Sequence, residues 1–246
     1  MDYHHLHALH TLADDCPYDF GADSLPDSDG FLGIGGDLST ATLLHAYRCG
    51  AFPWYSPNEP ICWWSPDVRC VIRPSDFHPS KSLQRTAKTQ TWSISSNLAF
   101  LAVVEACSQP RRDSAESWIG DDIKAAYNQL NQLGAASSIE VWAGVPQHSE
   151  LIGGLYGVHF GSIFCGESMF HRKSDASKIA FWALMQLSKQ AGIELIDCQV
   201  VNNHLLSLGA SKLAKADFLK ALTTLVHRPS GNLQTTKGFG SHNLMP

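Results

Sequence analysis

Apolar and polar residues recur with two different periods along this chain of 246 residues, and each period predicts one type of element. A period of three to four residues places apolar side chains on one helix face, whereas strict alternation places them on one face of a strand. The helical period predicts six helices: "GDLSTATLLHAYRCG", "DFHPSKSLQRTAKT", "SNLAFLAVVEACSQ", "GDDIKAAYNQLNQLG", "SDASKIAFWALMQLSKQAG" and "DFLKALTTLV". Strands are predicted in "SIEVWAG", in the glycine-containing pair "ELIGGLYGVHFGSIFCGESMF", and in "IELIDCQVV".

Residues at the ends of these segments agree with the helix predictions. Ser39 has a side chain that can cap the first helix, and Gly50 suits its end. Ser174 or Asp175 is expected to cap the long helix that stops at Gly192.

Proline and tryptophan are concentrated between residues 53 and 79, where six of the twelve prolines and three of the seven tryptophans fall. Proline restricts the backbone and tryptophan supplies a rigid surface, so an ordered connector is expected there. We place a domain boundary near residue 66, between a small N-terminal domain, residues 1–66, and a larger domain, residues 67–246. The order of hairpin, helix, strand and helix in the larger domain resembles the acyltransferase fold related to N-acetyltransferases (GNAT). The predicted fold class is therefore α+β, with a small N-terminal domain followed by a GNAT-related mixed sheet.

Composition places the chain among folded proteins, with 44% hydrophobic and 17% charged residues. The seven cysteines are odd in number and lack C-x-x-C spacing, so neither a disulfide framework nor a structural zinc site is expected. The start, "MDYHHLHALH", lacks the pattern of a signal peptide, and the apolar run "LAFLAVV" is too short to cross a bilayer. We expect a cytoplasmic monomer without a metal or a membrane partner.

The charge is distributed unevenly, so a polyanion could bind a local basic face although the net charge is -5. Residues 1–47 contain eight Asp and no Lys or Arg, so the rest of the chain carries 18 basic and 15 acidic side chains. Lys81, Arg85 and Lys88 recur at i, i+4 and i+7 and would share one helix face. Such a stripe is either a solvated surface or a set of phosphate contacts.

Three further features are candidates for binding or chemistry, and each also has an ordinary structural interpretation. Trp54, in a proline-rich loop, and Trp118, before a helix, would offer stacking surfaces for a base, or would belong to a core. Glu167 follows small and apolar residues at a strand end, where a carboxylate is paired or held for a cationic group. Leu155, Phe164 and Met169 would line a neighbouring apolar pocket, or would be ordinary core.

The segment "ELIDCQVVNNHL" contains the last candidate, a thiol between an acid and an amide. If the strand runs from Leu195 to Val201, alternation puts Asp197 and Gln199 on one face. Cys198 would then point away from both, which argues against a cysteine nucleophile. An acid and an amide that cap the sheet edge are the structural alternative.

Several motifs together resemble the leucyl/phenylalanyl-tRNA–protein transferase family of bacterial enzymes. They cover residues 31 to about 210 and comprise "FLGIGGDLSTATLLHAYRCGAFPWYSP", "ICWWSPDVRCVI", "SIEVWAG", "LIGGLYGVHFGSIFCGESMF", "DASKIA" and "LIDCQVVNNHLLSLGA". The resemblance implies transfer of Leu or Phe, less often Met, from Leu-tRNA or Phe-tRNA to the α-amine of proteins that begin with Arg or Lys. The product would be marked for N-degron-dependent degradation.

The resemblance also implies roles for residues. The 3′-terminal adenosine is expected near Trp54 and Trp118, and the acceptor stem near Lys81, Arg85 and Lys88. The amino-acid side chain would enter an apolar pocket beside Glu167, formed by Leu155, Phe164, Met169, Phe181, Leu184 and Ile196. His171 departs from the family, in which this position commonly holds a small residue.

The expected mechanism needs no cofactor, because an aminoacyl ester is already activated. The carbonyl oxygen of Gln199 would accept a hydrogen bond from the attacking amine, and Asp197 would orient Gln199. A proton relay through both residues stays open, although an amide is a poor base. Glu167 would bind either the acceptor's Arg or Lys side chain or the donor's ammonium.

Two other functions compete with this interpretation. One is a CoA-dependent N-acyltransferase of the same fold, which is disfavoured because residues 171–178 contain no glycine to cradle a pyrophosphate. The other is a non-catalytic RNA-binding module that would use the basic face and the tryptophans.

Overall fold

The computed structural model of the protein describes residues 1–21, 29–110, 117–233 and 239–244. Its helices are α1 (Tyr3–Asp14), α2 (Thr40–Arg48), α3 (Lys81–Thr89), α4 (Phe100–Cys107), α5 (Asp121–Gln132), α6 (Ala176–Ala191), α7 (Asn203–Ser207) and α8 (Lys215–Leu225). Its strands are β1 (Phe31–Ile34), β2 (Phe52–Pro53), β3 (Cys62–Trp64), β4 (Val68–Ile72), β5 (Ser93–Ser96), β6 (Ala136–Trp142), β7 (Leu151–Phe160), β8 (Ile163–His171), β9 (Leu195–Asp197), β10 (Ser211–Ala214) and β11 (Phe239–Gly240). No helix of the described ranges is long and apolar enough to span a bilayer.

The strands form two sheets, and the larger one confirms the predicted mixed α+β class. Its eight strands follow the order β10-β4-β9-β8-β7-β6-β5-β11. All neighbours are antiparallel except β8 and β9, which are parallel and joined by α6. A parallel pair requires a long crossover, and α6 supplies it.

The smaller sheet has the order β1-β3-β2 and lies within residues 31–64. The eight-stranded sheet begins at Val68, close to the predicted boundary at residue 66. One buried cluster nevertheless contains residues from both sides of that boundary, including Leu43 and Tyr156. The division into domains therefore stays a prediction.

Both faces of the large sheet are covered, because successive residues of a strand point to opposite faces. Leu155 and Tyr156 of β7 are consecutive and belong to two different buried clusters. The cluster around Tyr156 is covered by α2, α4, α5 and α8, whereas α3 and α6 cover the cluster around Leu155. Helix α6 consequently has buried residues on most of its circumference.

The ends of the helices follow the predictions with one exception. The hydroxyl of Ser39 accepts a hydrogen bond from the backbone N–H of Thr42, and Gly50 follows α2 with a φ of 78°. Gly192 ends α6 with a φ of 75°. Asp175 precedes α6, but its carboxylate does not cap the helix; it instead accepts hydrogen bonds from Thr86 and Lys178. Side-chain capping of α6 was thus predicted wrongly.

Candidate active site

A cavity of about 580 Å³ opens where β8 and β9 stop pairing. The parallel register ends at Cys165 and Asp197, while β8 continues to His171. The chain after Asp197 diverges from β8 and leaves a gap in the sheet. The gap is walled by the end of β8, by α6, and by the segment from Cys198 to Leu205.

The structure brings together the nine residues that the sequence assigned to substrate binding. All of them line this cavity: Trp54, Trp118, Leu155, Phe164, Glu167, Met169, Phe181, Leu184 and Ile196. The six aliphatic, aromatic and thioether side chains of the predicted apolar pocket therefore lie beside the carboxylate of Glu167. Such a lining suits an apolar group attached to a polar one.

A bulge in β8 explains why Glu167 enters the cavity wall. In the β7–β8 register, Gly157 faces Gly166 and Tyr156 faces Ser168. Glu167 is therefore an extra residue of β8 that no residue of β7 faces. The extra residue also changes the phase of the strand.

The changed phase matters because residues 164 and 169 would point to opposite faces of a regular strand. Beyond the bulge, Met169 pairs with Leu155, and both pack in the same cluster as Phe164. The bulge therefore completes the apolar pocket and places the carboxylate at its edge.

Glu167 is the centre of a hydrogen-bond network. Its carboxylate accepts hydrogen bonds from the Tyr127 hydroxyl at 3.1 Å and from the Gln199 Nε2 at 2.8 Å. The hydroxyl of Tyr127 is also hydrogen-bonded to that of Tyr47. Burial raises the pKa of Glu167 to about 7, because desolvation disfavours the charge more than these hydrogen bonds favour it. The carboxyl can therefore gain or lose its proton near neutral pH.

Gln199 adopts a left-handed backbone conformation, with a φ of 61°. This region costs a residue other than glycine roughly 1 kcal/mol or more, and such conformations concentrate at functional sites. Two contacts hold it: the Gln199 N–H donates to Asp197 Oδ1 at 2.9 Å, and the Gln199 carbonyl accepts from the Cys70 N–H at 3.0 Å. The conformation turns the amide toward Glu167.

The predicted alternation over residues 195–201 was therefore wrong. Strand β9 ends at Asp197, and the left-handed turn at Gln199 breaks the alternation of side chains. Gln199 and Cys198 both line the cavity, whereas Asp197 is fully buried and is not among the described residues that line it. Cys198 does not point away from the amide, so alternation gives no argument against a nucleophilic thiol.

The chemistry of Cys198 argues against that role on other grounds. A hydrogen bond with the Cys70 thiol and burial raise the pKa of Cys198 well above its ordinary value. A thiol is nucleophilic as the thiolate, which this environment disfavours. All seven cysteines, each within the described ranges, are free.

Asp197 forms a buried ion pair with Arg69. The Arg69 Nη2 and Nε lie 2.6 Å and 3.1 Å from the two carboxylate oxygens. Arg69 also donates to the Gly50 carbonyl at 2.9 Å and lies over the rings of Phe52 and Phe218. With exposures of 1% and 0%, Arg69 and Asp197 form one fixed unit behind the cavity wall. Asp197 reaches the cavity through the backbone of Gln199.

The two tryptophans at the cavity mouth are held by their neighbours. Trp54 is 47% exposed and meets Trp64 edge to face, with ring centroids 5.9 Å apart. The hydroxyl of Tyr55 donates to Asp122, in the first turn of α5 and four residues after Trp118. This bond joins the loop that carries Trp54 to the helix that follows Trp118. The mouth therefore presents two anchored aromatic surfaces.

The basic stripe lies where the sequence predicted it. Lys81, Arg85 and Lys88 are exposed on α3. Thr86, on the same helix, donates to Asp175 at 3.1 Å and so connects α3 to the start of α6.

Sequence reasoning missed several residues of this site. Tyr47 and Tyr127 lie in predicted helices, but neither hydroxyl was expected to contact Glu167. A signal was present for Arg69, because an arginine in the strand "VRCVI" must be paired when buried. Asn202 and His204 also line the cavity and carried no recognised signal.

Comparisons with known proteins show which family this chain resembles along most of its length. The family model described as "Leucyl/phenylalanyl-tRNA protein transferase" matches residues 71–223, and the model of that family's N-terminal domain matches residues 36–67. A protein of Psychrobacter arcticus named leucyl/phenylalanyl-tRNA–protein transferase is 48% identical over 219 residues, covering 87% of this chain and 81% of its own length. Proteins of the same name from Shewanella denitrificans and Idiomarina loihiensis are 49% and 48% identical. They cover 84% and 82% of this chain, and 86% and 84% of their own lengths.

Solved structures offer more distant likenesses. FemX matches with a TM-score of 0.48 and 9% identity, covering 71% of this chain and 66% of its own. L-PGS from Bacillus licheniformis matches with a TM-score of 0.38 and 12% identity, covering 65% of this chain and 50% of its own. Likenesses at this level assign neither a function nor a residue role.

Proposed function

This chain belongs to the leucyl/phenylalanyl-tRNA protein transferase family, and from that premise we propose how its cavity transfers an amino acid. The chain is an aminoacyltransferase that takes its amino acid from an aminoacyl-tRNA. The donors we propose are Leu-tRNA and Phe-tRNA, less often Met-tRNA. The acceptors are proteins or peptides with N-terminal Arg or Lys, which transfer would mark for degradation.

One observation carries the proposal: the Gln199 amide and Glu167 stand between an aromatic mouth and an apolar pocket. The aminoacyl end of a tRNA has the same sequence of parts, a base, a polar ester and an apolar side chain. The adenine would stack on Trp54 and Trp118, where stacking contributes roughly 1–3 kcal/mol per base. The Leu or Phe side chain would fill the pocket, which leaves the ester beside Gln199.

Gln199 would act on the attacking amine. Its Nε2 is engaged by Glu167, so its carbonyl oxygen is the amide atom that remains for an incoming N–H. A hydrogen bond from the amine to this oxygen orients the nitrogen and stabilises the positive charge that develops on it. The new C–N bond forms as the ester C–O bond breaks, and the proton that the nitrogen loses ends on the 3′-oxygen of the leaving tRNA, carried by the substrate or by water. The α-amine, with an ordinary pKa of about 7.7–8, has an appreciable neutral fraction near pH 7, so the neutral nucleophile is available without a base from the enzyme.

Asp197 would act as a positioning residue. Its carboxylate accepts the Gln199 N–H and holds the left-handed backbone, while Arg69 fixes the carboxylate. The guanidinium of Arg69, 2.6 Å away, neutralises the charge of Asp197, so its role is to position Gln199. We assign Asp197 no direct contact with substrate, because its side chain is fully buried.

The remaining features fit a donor that arrives as a tRNA and without CoA. Lys81, Arg85 and Lys88 would contact phosphates of the acceptor stem. An ester donor is already activated, so the transfer needs no ATP, metal or other cofactor. The helix start that would hold a CoA pyrophosphate carries the Asp175 carboxylate instead, which supports the tRNA donor over the alternative of a CoA-dependent N-acyltransferase.

We also propose that the larger domain is GNAT-related. The hairpin of β7 and β8, the crossover helix α6 and the parallel strand β9, with a cleft where the strands diverge, support that relation. The relation has no bearing on the residue roles, which rest on the site itself.

A single assay tests the proposed function. Purified protein is incubated with labelled Leu-tRNA and an Arg-starting peptide, without ATP or CoA, and label in the peptide is measured. Transfer supports the proposal, and a Ser-starting peptide is the matched control. Binding of Leu-tRNA without transfer would favour the non-catalytic RNA-binding module, and transfer only from an acyl-CoA would favour the CoA-dependent enzyme.

The titration of Glu167 leads to an expected pH dependence. Its raised pKa, about 7, means that the carboxylate predominates only above that pH. As a carboxylate it accepts from Gln199 Nε2, whereas the acid can donate to the Gln199 carbonyl and occupy the oxygen that the amine needs. The incoming amine must also lose a proton. In wild-type protein the logarithm of the single-turnover rate should therefore rise with a slope of about two below pH 7, because two groups must be deprotonated.

Glu167→Gln should reduce that slope to about one, because only the amine still titrates. The measurement is single-turnover transfer between about pH 5.5 and 8.5, which spans about one and a half units on either side of the pKa of Glu167. The same variant also tests whether Glu167 binds the basic side chain of the acceptor. For this, its KM is measured for Arg- and Lys-starting peptides. An unchanged KM would contradict direct recognition of the acceptor by Glu167. Equal slopes of log rate against pH in the two proteins would contradict the proposal that Glu167 must be deprotonated for transfer.

A further inference from the structure

Basic and histidine side chains lie on α3 and at the start of α6, and the proposed function uses only the three basic ones of α3. Helix α3 and the segment from His171 to Lys178 together carry six of the 18 Lys and Arg residues of the chain. The only acid in these two segments is Asp175. These two segments are therefore locally positive, although the chain has a net charge of -5.

Contacts connect these two segments into a continuous band. Asp175 accepts from Thr86 of α3 at 3.1 Å and from the Lys178 Nζ at 2.9 Å, so α3 and the start of α6 are fixed side by side. Lys178 keeps 39% of its side chain exposed. A cation that is bound on one side and exposed on the other can still contact an external anion.

The band includes two histidines, and one of them, His204, lines the cavity. His171 follows Met169 by two residues on β8 and so shares its face, about 7 Å further along the strand. His204, on α7, lines the cavity itself. Burial and the charges of Lys178 and His171 lower the pKa of His204, which places the three side chains in one electrostatic neighbourhood.

We propose that Lys178, His171 and His204 bind phosphates of the single-stranded 3′ end of the donor tRNA as it passes from α3 into the cavity. This inference rests on the proposed function and extends it to a second part of the donor. Lys178 supplies the charge, and the imidazoles supply N–H donors. A base stacked on Trp54 and Trp118 must be joined to a stem on α3 by a short phosphodiester strand, and the band covers that interval.

Three donors distinguish phosphate contacts at this band from stem contacts at α3 and from contacts inside the cavity. Leu-tRNA has a stem and phosphates, a leucyl-CCA trinucleotide has phosphates without a stem, and 3′-O-leucyl-adenosine has neither. Lys178→Gln should raise the KM roughly 3- to 10-fold for the first two donors and leave it within about twofold for the third. The slope of log affinity for Leu-tRNA against log salt should fall by about one. Arg85→Ala on α3 should raise the KM for Leu-tRNA and leave the KM for the two smaller donors unchanged.

Matched variants control for charge and for folding. Lys189→Ala removes a cation from the other end of α6 and should change none of the three KM values. Lys178→Arg should restore the tRNA KM. Asp175→Asn breaks the same ion pair but removes an anion from the band, so it should lower the KM for the trinucleotide. If the pair were only structural, Lys178→Gln and Asp175→Asn would both raise that KM.

The outcomes of this experiment are distinguishable. Equal effects of Lys178→Gln on all three donors, or no effect on any, would overturn the phosphate contact while transfer by the wild-type protein continued. A wild-type protein that transfers from none of the three donors would overturn the proposed function itself.

Discussion

Replacing Gln199 by alanine should lower the single-turnover rate of transfer by about 100- to 1,000-fold. The loss is large because the amide is the proposed hydrogen-bond acceptor for the attacking amine, and removing one such preorganised group typically costs this much. The dissociation constant of the aminoacyl-tRNA should stay within about twofold, since adenine and the apolar side chain bind elsewhere in the cavity. The measurement is rapid-quench transfer to an Arg-starting peptide with enzyme in excess.

Two further variants separate the amide from the backbone that carries it. Gln199→Gly also removes the amide, but glycine adopts the left-handed conformation at no steric cost. It should be as slow as the alanine variant and no less stable. Gln147→Ala removes another glutamine with a φ of 61° and should react normally. If Gln199→Ala and Gln199→Gly fold normally and keep the wild-type rate, the role of Gln199 has to be abandoned.

Breaking the Arg69–Asp197 pair should destabilise the protein by about 3–5 kcal/mol. Asp197→Ala leaves the Arg69 guanidinium buried without its carboxylate, between two aromatic rings and one carbonyl. Removing one partner of a buried pair costs far more than the pair contributes, because the remaining charge stays desolvated. The measurement is urea unfolding of wild type and Asp197→Ala, read by tryptophan fluorescence.

The double variant Arg69→Met with Asp197→Leu tests whether Asp197 also serves catalysis. Two apolar side chains of similar volume should recover most of the lost stability, since neither charge is then buried alone. The transfer rate should remain low, because the Gln199 N–H has lost the acceptor that holds its conformation. Recovery of both stability and rate would mean that Asp197 is structural only.

Much of the fold could be predicted from local patterns. Helix α6 was predicted because "SKIAFWALMQLSKQAG" has an apolar period of three to four residues and a terminal glycine. The hairpin of β7 and β8 was predicted from two β-rich runs around a glycine turn. Short strands were missed: β10 and β5 have four residues each, too few for a period to be recognised.

The candidate site was predicted in membership and missed in geometry. The family resemblance named nine residues that all line one cavity. The resemblance did not predict the bulge at Glu167 or the left-handed turn at Gln199. The predicted alternation was wrong at Gln199 because the strand ends at Asp197. The contacts that matter there come from Cys70, Glu167 and Asp197, on three different strands or their ends.

The sequence by itself determined the family, the order of the main helices and strands, and the residue types that the site requires. Each of these depends on local periodicity or on motifs that are read along the chain. Only the tertiary structure decided that Glu167 is a bulge residue, that Gln199 is left-handed, and that Asp197 reaches the cavity only through a backbone N–H.

The physical reason is that a bulge or a left-handed residue costs energy locally and exists only where distant contacts outweigh that cost. Arg69 lies 128 residues from Asp197 in the chain, and their ion pair forms only when β4 and β9 are adjacent. The regular elements follow from what each residue prefers by itself. The active site follows from irregularities that the surrounding fold imposes.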